Sequence, residues 1–467
     1  MTGLSLSVFK SRWYWVLFAP IFLNFLFNIA GKFSLLKDFN YYNLGSTVLG
    51  FLSFVLLGIV IKENLNLNSI SLGIVFYLLS FFIVDIFILF ITNELSFEYL
   101  FIFTNLFWLI LFLIKRKKLN YLFLFLINFL FLRIYNTLFF SKFFSYSSFE
   151  VDTWYYFEFC KQIVENSFYF SMNNNIFPGY SQFSSYFHSV FFEYFYSLEK
   201  YVYLKPTSNI LFFLTCLFFY EISSEKKIKY LALSLYIVLI LNSDWLKFLF
   251  IDSIMSEGIL NYLYAVLLFN IFNEKRVGHL RYVYLFFGLL AFSKQFYILL
   301  VLLNLIFLLL FKDSRKFVIF GFMAYFIKQI IYLTYFSSLQ SDHHISQIDI
   351  YDTVFDLLLF RNLNLNNIIT ILQNLLIDRP LAYLFFVIFI FIIYLLLNKQ
   401  LINRQLIFLA VNIVSNFLFV FLLYISVWRN MELDSPIRFI LNLFLVSLLF
   451  ISNSVQAINS KNSLNKH

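Results

Sequence analysis

Apolar stretches close to the roughly 20 residues that a helix needs to cross a bilayer recur from Trp13 almost to Ser452. No other feature limits the fold so strongly. Hydrocarbon offers no partner to a backbone N–H or C=O, so repeated apolar segments of this length must satisfy their own hydrogen bonds as helices. The connectors between them leave no room for a sizeable soluble domain. Apolar residues make up 61% of the chain and charged residues 13%, where soluble domains run near half and about a quarter. The expectation is an all-α, polytopic membrane helical protein with about 12–14 transmembrane helices.

Charge sets the orientation. The basic connectors are "SVFKSR", "KENLNLN", "KRKK" at 115–118, "SSEKKIK", "NEKRVGHLR", "KDSRK", "NKQLINR" and the tail "NSKNSLNKH". Placing all of them in the cytoplasm satisfies the positive-inside rule throughout. The spans then fall near 13–30, 46–61, 70–92, 98–114, 119–136, 207–222, 228–243, 257–273, 280–294, 296–311, 317–336, 381–397, 405–427 and 437–452. Both termini are cytoplasmic, and the first apolar run, which lacks a small-residue cleavage site, reads as a retained span. Arg281 to Lys312 is short for two crossings and long for one. A single crossing would separate "NEKRVGHLR" from "KDSRK", so two short spans should meet near Ser293 and Lys294 at the outer face.

The formal charge of +9 is scattered over short loops and forms no stripe, which argues against a nucleic-acid partner. Cys160 and Cys216, the only cysteines, provide neither a disulfide framework nor a metal cluster and read as packing residues. The 70 Phe and 32 Tyr suit lipid-facing and interfacial positions.

On this topology the outer side carries the largest polar segments, Phe143 to Pro206 and Ser337 to Pro380. In the first, "FEVDTWYYFEFCKQIVENSFYF" sets Glu158, Lys161, Gln162, Glu165 and Asn166 on one helical face, with Tyr155, Tyr156, Phe159 and Ile163 opposite. This is an amphipathic helix lying in the interface. A second follows, opened by Pro178 and carrying a polar stripe of Ser181, Ser184, Ser185 and His188. Glu150 and Asp152 precede the first helix and are not explained by it, although Asp152 also fits a helix N-cap. In the other loop, "SDHHISQIDIYD" holds Asp342, His343, His344 and Asp349, which have ligand chemistry but no recognised metal spacing.

An acid early in a large outer loop, an aromatic-rich amphipathic helix and a "PGY" turn into a second helix resemble the GT-C type of integral membrane glycosyltransferases, which take sugars from polyprenyl-phosphate carriers. The matching pieces are "EVDTWYYFEFCKQIVENSFY", "IFPGYSQFSSYF", "DSIMSEGILNYLYAVLLFNIF" (252–272), the Gly-to-Lys hairpin "GLLAFSKQFYILLVLL" (288–303) and "ELDSPIRFILNLFLV". The resemblance runs from about Asn120 to Ser452. It implies a four-span N-terminal extension over 1–118 and a catalytic module over 119–456 with outer loops 137–206 and 337–380. Residues 457–467 are left as a short cytoplasmic tail. Family members usually place the acidic loop after their first span, whereas here four spans precede it, and the acidic pair is only "EVD".

Single-displacement glycosyl transfer needs a carboxylate to take the acceptor hydroxyl proton and positive charge where the lipid phosphate departs. The resemblance implies Asp152 as base, Glu150 as the neighbour that raises its pKa or shares a divalent metal, and Asp252 as a second acid. The substrate-binding candidates are Lys294 and Arg438 toward the phosphate, with Glu257, Asp244, His188 and Tyr180 around them. The partners implied are a polyprenyl-phosphate-linked sugar donor, a glycan or lipid-linked acceptor and membrane lipid. The location implied is the plasma (inner) membrane, multi-pass, with the site on the outer or periplasmic face. A polysaccharide polymerase or ligase, or a lipid-linked oligosaccharide flippase, are the alternatives; a flippase should show internal repeats, and none is seen.

Overall fold

A computed structural model describes residues 41–89, 103–111, 205–247, 256–274, 276–292, 295–331, 378–426 and 441–464, with isolated residues 250, 369 and 373. All regular structure among the described residues is helical. In chain order the helices are α1 Tyr41–Leu65, α2 Ile70–Leu89, α3 Lys205–Glu221, α4 Lys226–Asn242, α5 Asp244–Lys247, α6 Ser256–Asn273, α7 Val277–Leu289, α8 Gln295–Leu308, α9 Arg315–Ile331, α10 Arg379–Leu397, α11 Arg404–Ser426 and α12 Phe444–Leu464. Residues 103–111 are also helical. Two stretches, Thr47–Leu65 of α1 and Arg379–Leu397, are long and apolar enough to cross a membrane. The segments expected at 13–30 and 119–136, and the interfacial helices of the 137–206 loop, lie outside the described residues.

The helices belong to two units, one holding α1–α3 and α6–α9, the other α4, α5 and α10–α12. In the first unit residues 71–81 of α2 and 258–271 of α6 are buried on every side. Ile74, Val75, Tyr77 and Leu79 of α2, and Ile259, Leu260, Tyr264 and Leu267 of α6, have no exposed surface. Glycines let backbones touch where helices cross: a Cβ on Gly73 would lie 2.5 Å from the Gly58 carbonyl oxygen, and one on Gly288 only 2.1 Å from that of Gly321. Such close approach brings the two backbones into direct van der Waals contact.

One end of this unit is sewn together by polar contacts between connectors. The α1–α2 turn, with Asn66 in the left-handed region (φ 55), receives Arg276 Nη1 on the Asn66 carbonyl (3.0 Å), while Asn68 Nδ2 donates to the Asn273 carbonyl (3.0 Å). Glu221, the last residue of α3, accepts from Ile70 N (2.7 Å), Ser71 N (2.9 Å) and Ser71 Oγ (2.6 Å). A carboxylate from another helix thus satisfies the orphan donors of the α2 N-terminus. "KENLNLN", Glu221 and "NEKRVGHLR" therefore meet at one end, and the α8–α9 connector joins them through the Phe272–Phe311 ring contact (6.2 Å).

The Arg281–Lys312 stretch breaks where the sequence places a hairpin. α7 ends at Leu289, a 3₁₀ turn covers Leu290–Phe292, and α8 starts at Gln295. α7 and α9 run in the same direction, because Tyr284 stacks on Phe317 (6.1 Å between centroids) and Gly288 meets Gly321. The intervening α8 must run back the other way, so the chain reverses between Leu289 and Gln295. At 13 and 14 residues, α7 and α8 span only ~20 and ~21 Å at 1.5 Å per residue, less than the roughly 30 Å of a hydrocarbon core.

In the second unit the first half of α12 is the centre, with Phe444, Leu445, Val446, Phe450 and Ile451 fully buried. α4, α10 and α11 pack against it, Tyr236 of α4 on Phe444 (6.2 Å). The sequence ends this span at 452 and leaves 457–467 as a tail, but α12 continues to Leu464. Ser452 and Ser454 return their hydroxyls to the carbonyls of Leu448 and Phe450, which hides their polarity and lets the helix run on.

Candidate functional site

α4 and α10 are joined at one end by a buried carboxylate. Asp378 caps α10, its Oδ1 accepting from Leu381 N (3.2 Å), and Pro380 stands in the first turn where a missing N–H costs nothing. Its Oδ2 accepts from Ser243 Oγ (2.5 Å), and the same Ser243 oxygen accepts from Leu246 N (3.1 Å), capping the short α5. Ser243 is 1% exposed and Asp378 7%. Burial pushes the Asp378 carboxyl above its usual range; hydrogen bonds from Ser243, Leu381 and Trp245 oppose this, and the nearby charge of Asp244 adds to it.

Asp244, a sequence candidate, opens α5 and is exposed. It is the acid left facing outward beside a carboxylate whose lone pairs are committed to capping. Burial thus favours the protonated form of Asp378, at the end of α4 that the positive-inside rule assigns outside. Glu257 lies in the first turn of α6. The remaining candidates, Glu150, Asp152, Tyr180, His188, Asp252, Lys294 and Arg438, lie outside the described residues. Lys294 is one of the two residues that separate Phe292 from Gln295 in the sequence. "SDHHISQIDIYD" is likewise outside them.

Asp378 and Ser243 are the residues that sequence reading missed. The signal was present: "DRP" is an N-cap acid with Pro just inside the helix, and "SD" ahead of "WLK" is a cap before a short turn. What the sequence lacked was their pairing across 135 positions. Among the described residues no three His, Cys, Asp or Glu side chains come together as a metal set. Comparison with protein-family models, curated proteins and solved structures finds no match to this chain.

Proposed function

We propose that the chain is a multi-pass membrane glycosyltransferase of the GT-C type. It moves a sugar from a polyprenyl-phosphate carrier to a lipid-linked glycan or similar acceptor at the outer face of the plasma membrane. The observation that carries this reading is the chain reversal between Leu289 and Gln295, within "GLLAFSKQ". The reversal returns α8 to the end from which α7 started, so the Leu290–Phe292 turn lies at the opposite end from the basic connectors, and Lys294, two positions on in the sequence, is assigned to that side by the positive-inside rule. That is the side to which the positive-inside rule assigns Asp152 and Asp252.

In this mechanism Asp152 takes the proton of the acceptor hydroxyl as it attacks the anomeric carbon. Glu150 keeps negative charge beside Asp152 and raises its affinity for that proton. Lys294 and Arg438 meet the charge that develops on the departing lipid phosphate. The positive-inside rule assigns Asp252, Glu257 and Asp244 to the same membrane side, where each is a candidate acid toward sugar hydroxyls, as are Tyr180 and His188 of the outer loop. A divalent metal, if Glu150 and Asp152 hold one, supplies further positive charge to the phosphate.

The test is turnover of a panel of polyprenyl-phosphate hexoses by the purified chain in nanodiscs, with a native membrane extract as acceptor source. Asp152→Asn keeps the size and most hydrogen bonding of the side chain, and transfer should fall by roughly 10²–10⁴-fold with insertion unchanged. Wild-type turnover by Asp152→Asn, or no consumption of any donor by the wild type, would overturn the assignment.

A further inference from the structure

From the first unit, we infer that the α7–α9 face binds an acidic phospholipid, its phosphate held by Arg281 and Lys316 and its acyl chains laid along α9. The inference rests on the membrane reading above but on none of the catalytic assignments. α7 and α9 begin at the same end, and their opening turns and the connectors before them carry Arg276, Arg281, Lys312, Arg315 and Lys316, all exposed, against two acids, the exposed Asp313 and the buried Glu274. The two helices bring their cations together: Arg281 of α7 sits 5.7 Å from the ring centroid of Phe320 on α9, and Phe320 lies one turn from Lys316 on the same face. Lys316 Nζ stands 5.3 Å from the Phe317 ring. Both cations are thus spread over aromatic surface, the arrangement that fixes a cation at an apolar boundary.

Arg315 closes the α8–α9 connector, its Nε donating to the Leu309 carbonyl (2.7 Å). No acid lies in the first turn of α9, and Arg315 and Lys316 occupy the positive end of its macrodipole, where a basic side chain is unfavourable. An anion there would meet the side chains and offset the unfavourable charge.

Beyond this basic turn the same face of α9 is apolar. Ile319, Met323, Phe326, Ile327 and Ile330 fall within about 120° of arc with Lys316, at 100° per residue. All five are exposed, Ile319 to 55% and Ile330 to 60%. The face from Lys316 to Ile330 extends ~21 Å, enough for the ~15 Å of one leaflet's acyl chains. The buried side of the helix, Phe317, Val318, Ala324 and Tyr325, turns the other way. Charge at one end and an exposed apolar strip below it match the amphipathy of a single acidic lipid, and Tyr282, 56% exposed beside Arg281, suits the head-group level.

The full chain in dodecyl maltoside micelles is titrated with phosphatidylglycerol, with phosphatidylcholine and with inorganic phosphate, reading the thermal unfolding midpoint. Phosphatidylglycerol should raise the midpoint at concentrations where the other two do not. Arg281→Gln combined with Lys316→Gln should shift the midpoint of that titration about tenfold to higher lipid. The pair Lys226→Gln with Lys227→Gln, which removes equal charge from α4, should leave it unmoved. Equal effects of the two lipids, an equal effect of inorganic phosphate, or an unaltered titration in the Arg281/Lys316 variant would each overturn the site. Failure of the membrane reading registers separately, as protein that stays in the supernatant of membranes spun without detergent.

Discussion

Asp378 is a carboxylate placed where charge is costly, and its hydrogen bonds decide how that cost is met. Burial raises its folded-state pKa, so between the ordinary carboxyl value of about 4 and the raised value the folded chain holds a proton that the unfolded chain has lost. Stability from this group is therefore fully present below about pH 4 and declines as pH rises through the folded pKa. Asp378→Asn retains a cap oxygen and cannot ionise. Relative to wild type, its unfolding midpoint in detergent should rise as pH goes from about 4 to 7, and parallel profiles would show that the carboxyl is not strained by burial. Glu221 does a related job in the first unit through its three hydrogen bonds to Ile70 and Ser71. Neither role was legible, because a sequence shows that an acid stands at a helix end but not which distant hydroxyl or amide will meet it. Asp152 and Lys294 differ: their candidacy comes from position along the chain and the chemistry of phosphate departure, so it needed no tertiary contact.

At the scale of elements, hydropathy and punctuation carried most of what could be read. The segments at 207–222, 228–243, 257–273 and 381–397 each fall within two residues of a described helix, because basic connectors bound them at one end and Ser, Asn or Asp at the other. The break near Ser293 was legible for a different reason: charge on both flanks demanded an even number of crossings. The end of α12 was not, since Ser452 and Ser454 lower the hydropathy while their hydroxyls bond back within the helix. Val455 and Ile458 meanwhile keep its apolar face buried. Which helix sits at a unit's centre was also hidden, because α2, α6 and the lipid-length segments are equally apolar in sequence. Glycine crossings give the sharpest prediction at this scale. Gly288→Ala sets a Cβ 2.1 Å from the Gly321 carbonyl oxygen, so α7 and α9 must separate at a cost of roughly 1–3 kcal/mol. The midpoint should drop clearly, whereas Gly278→Ala, with open space around its Cβ, should change it little.

For the whole molecule, the glycosyltransferase reading and the lipid site both depend on which side each connector faces. The hydrogen bonds supply a check that the charge rule does not use. Asn66, Asn68, Glu221, Asn273 and Arg276 meet at one end of their unit, and Ser243 meets Asp378 in the other. Each group comprises connectors that the positive-inside rule assigns to a single side, the first inside and the second outside. The most direct measurement uses a chain with Cys160→Ser and Cys216→Ala, into which single cysteines are placed at Ser147, Ser338 and Ser314. In intact cells an impermeant maleimide should label the first two positions and spare the third until the membrane is opened. Labelling at Ser314 with protection at Ser147 and Ser338 would put Asp152 on the cytoplasmic side and contradict the account.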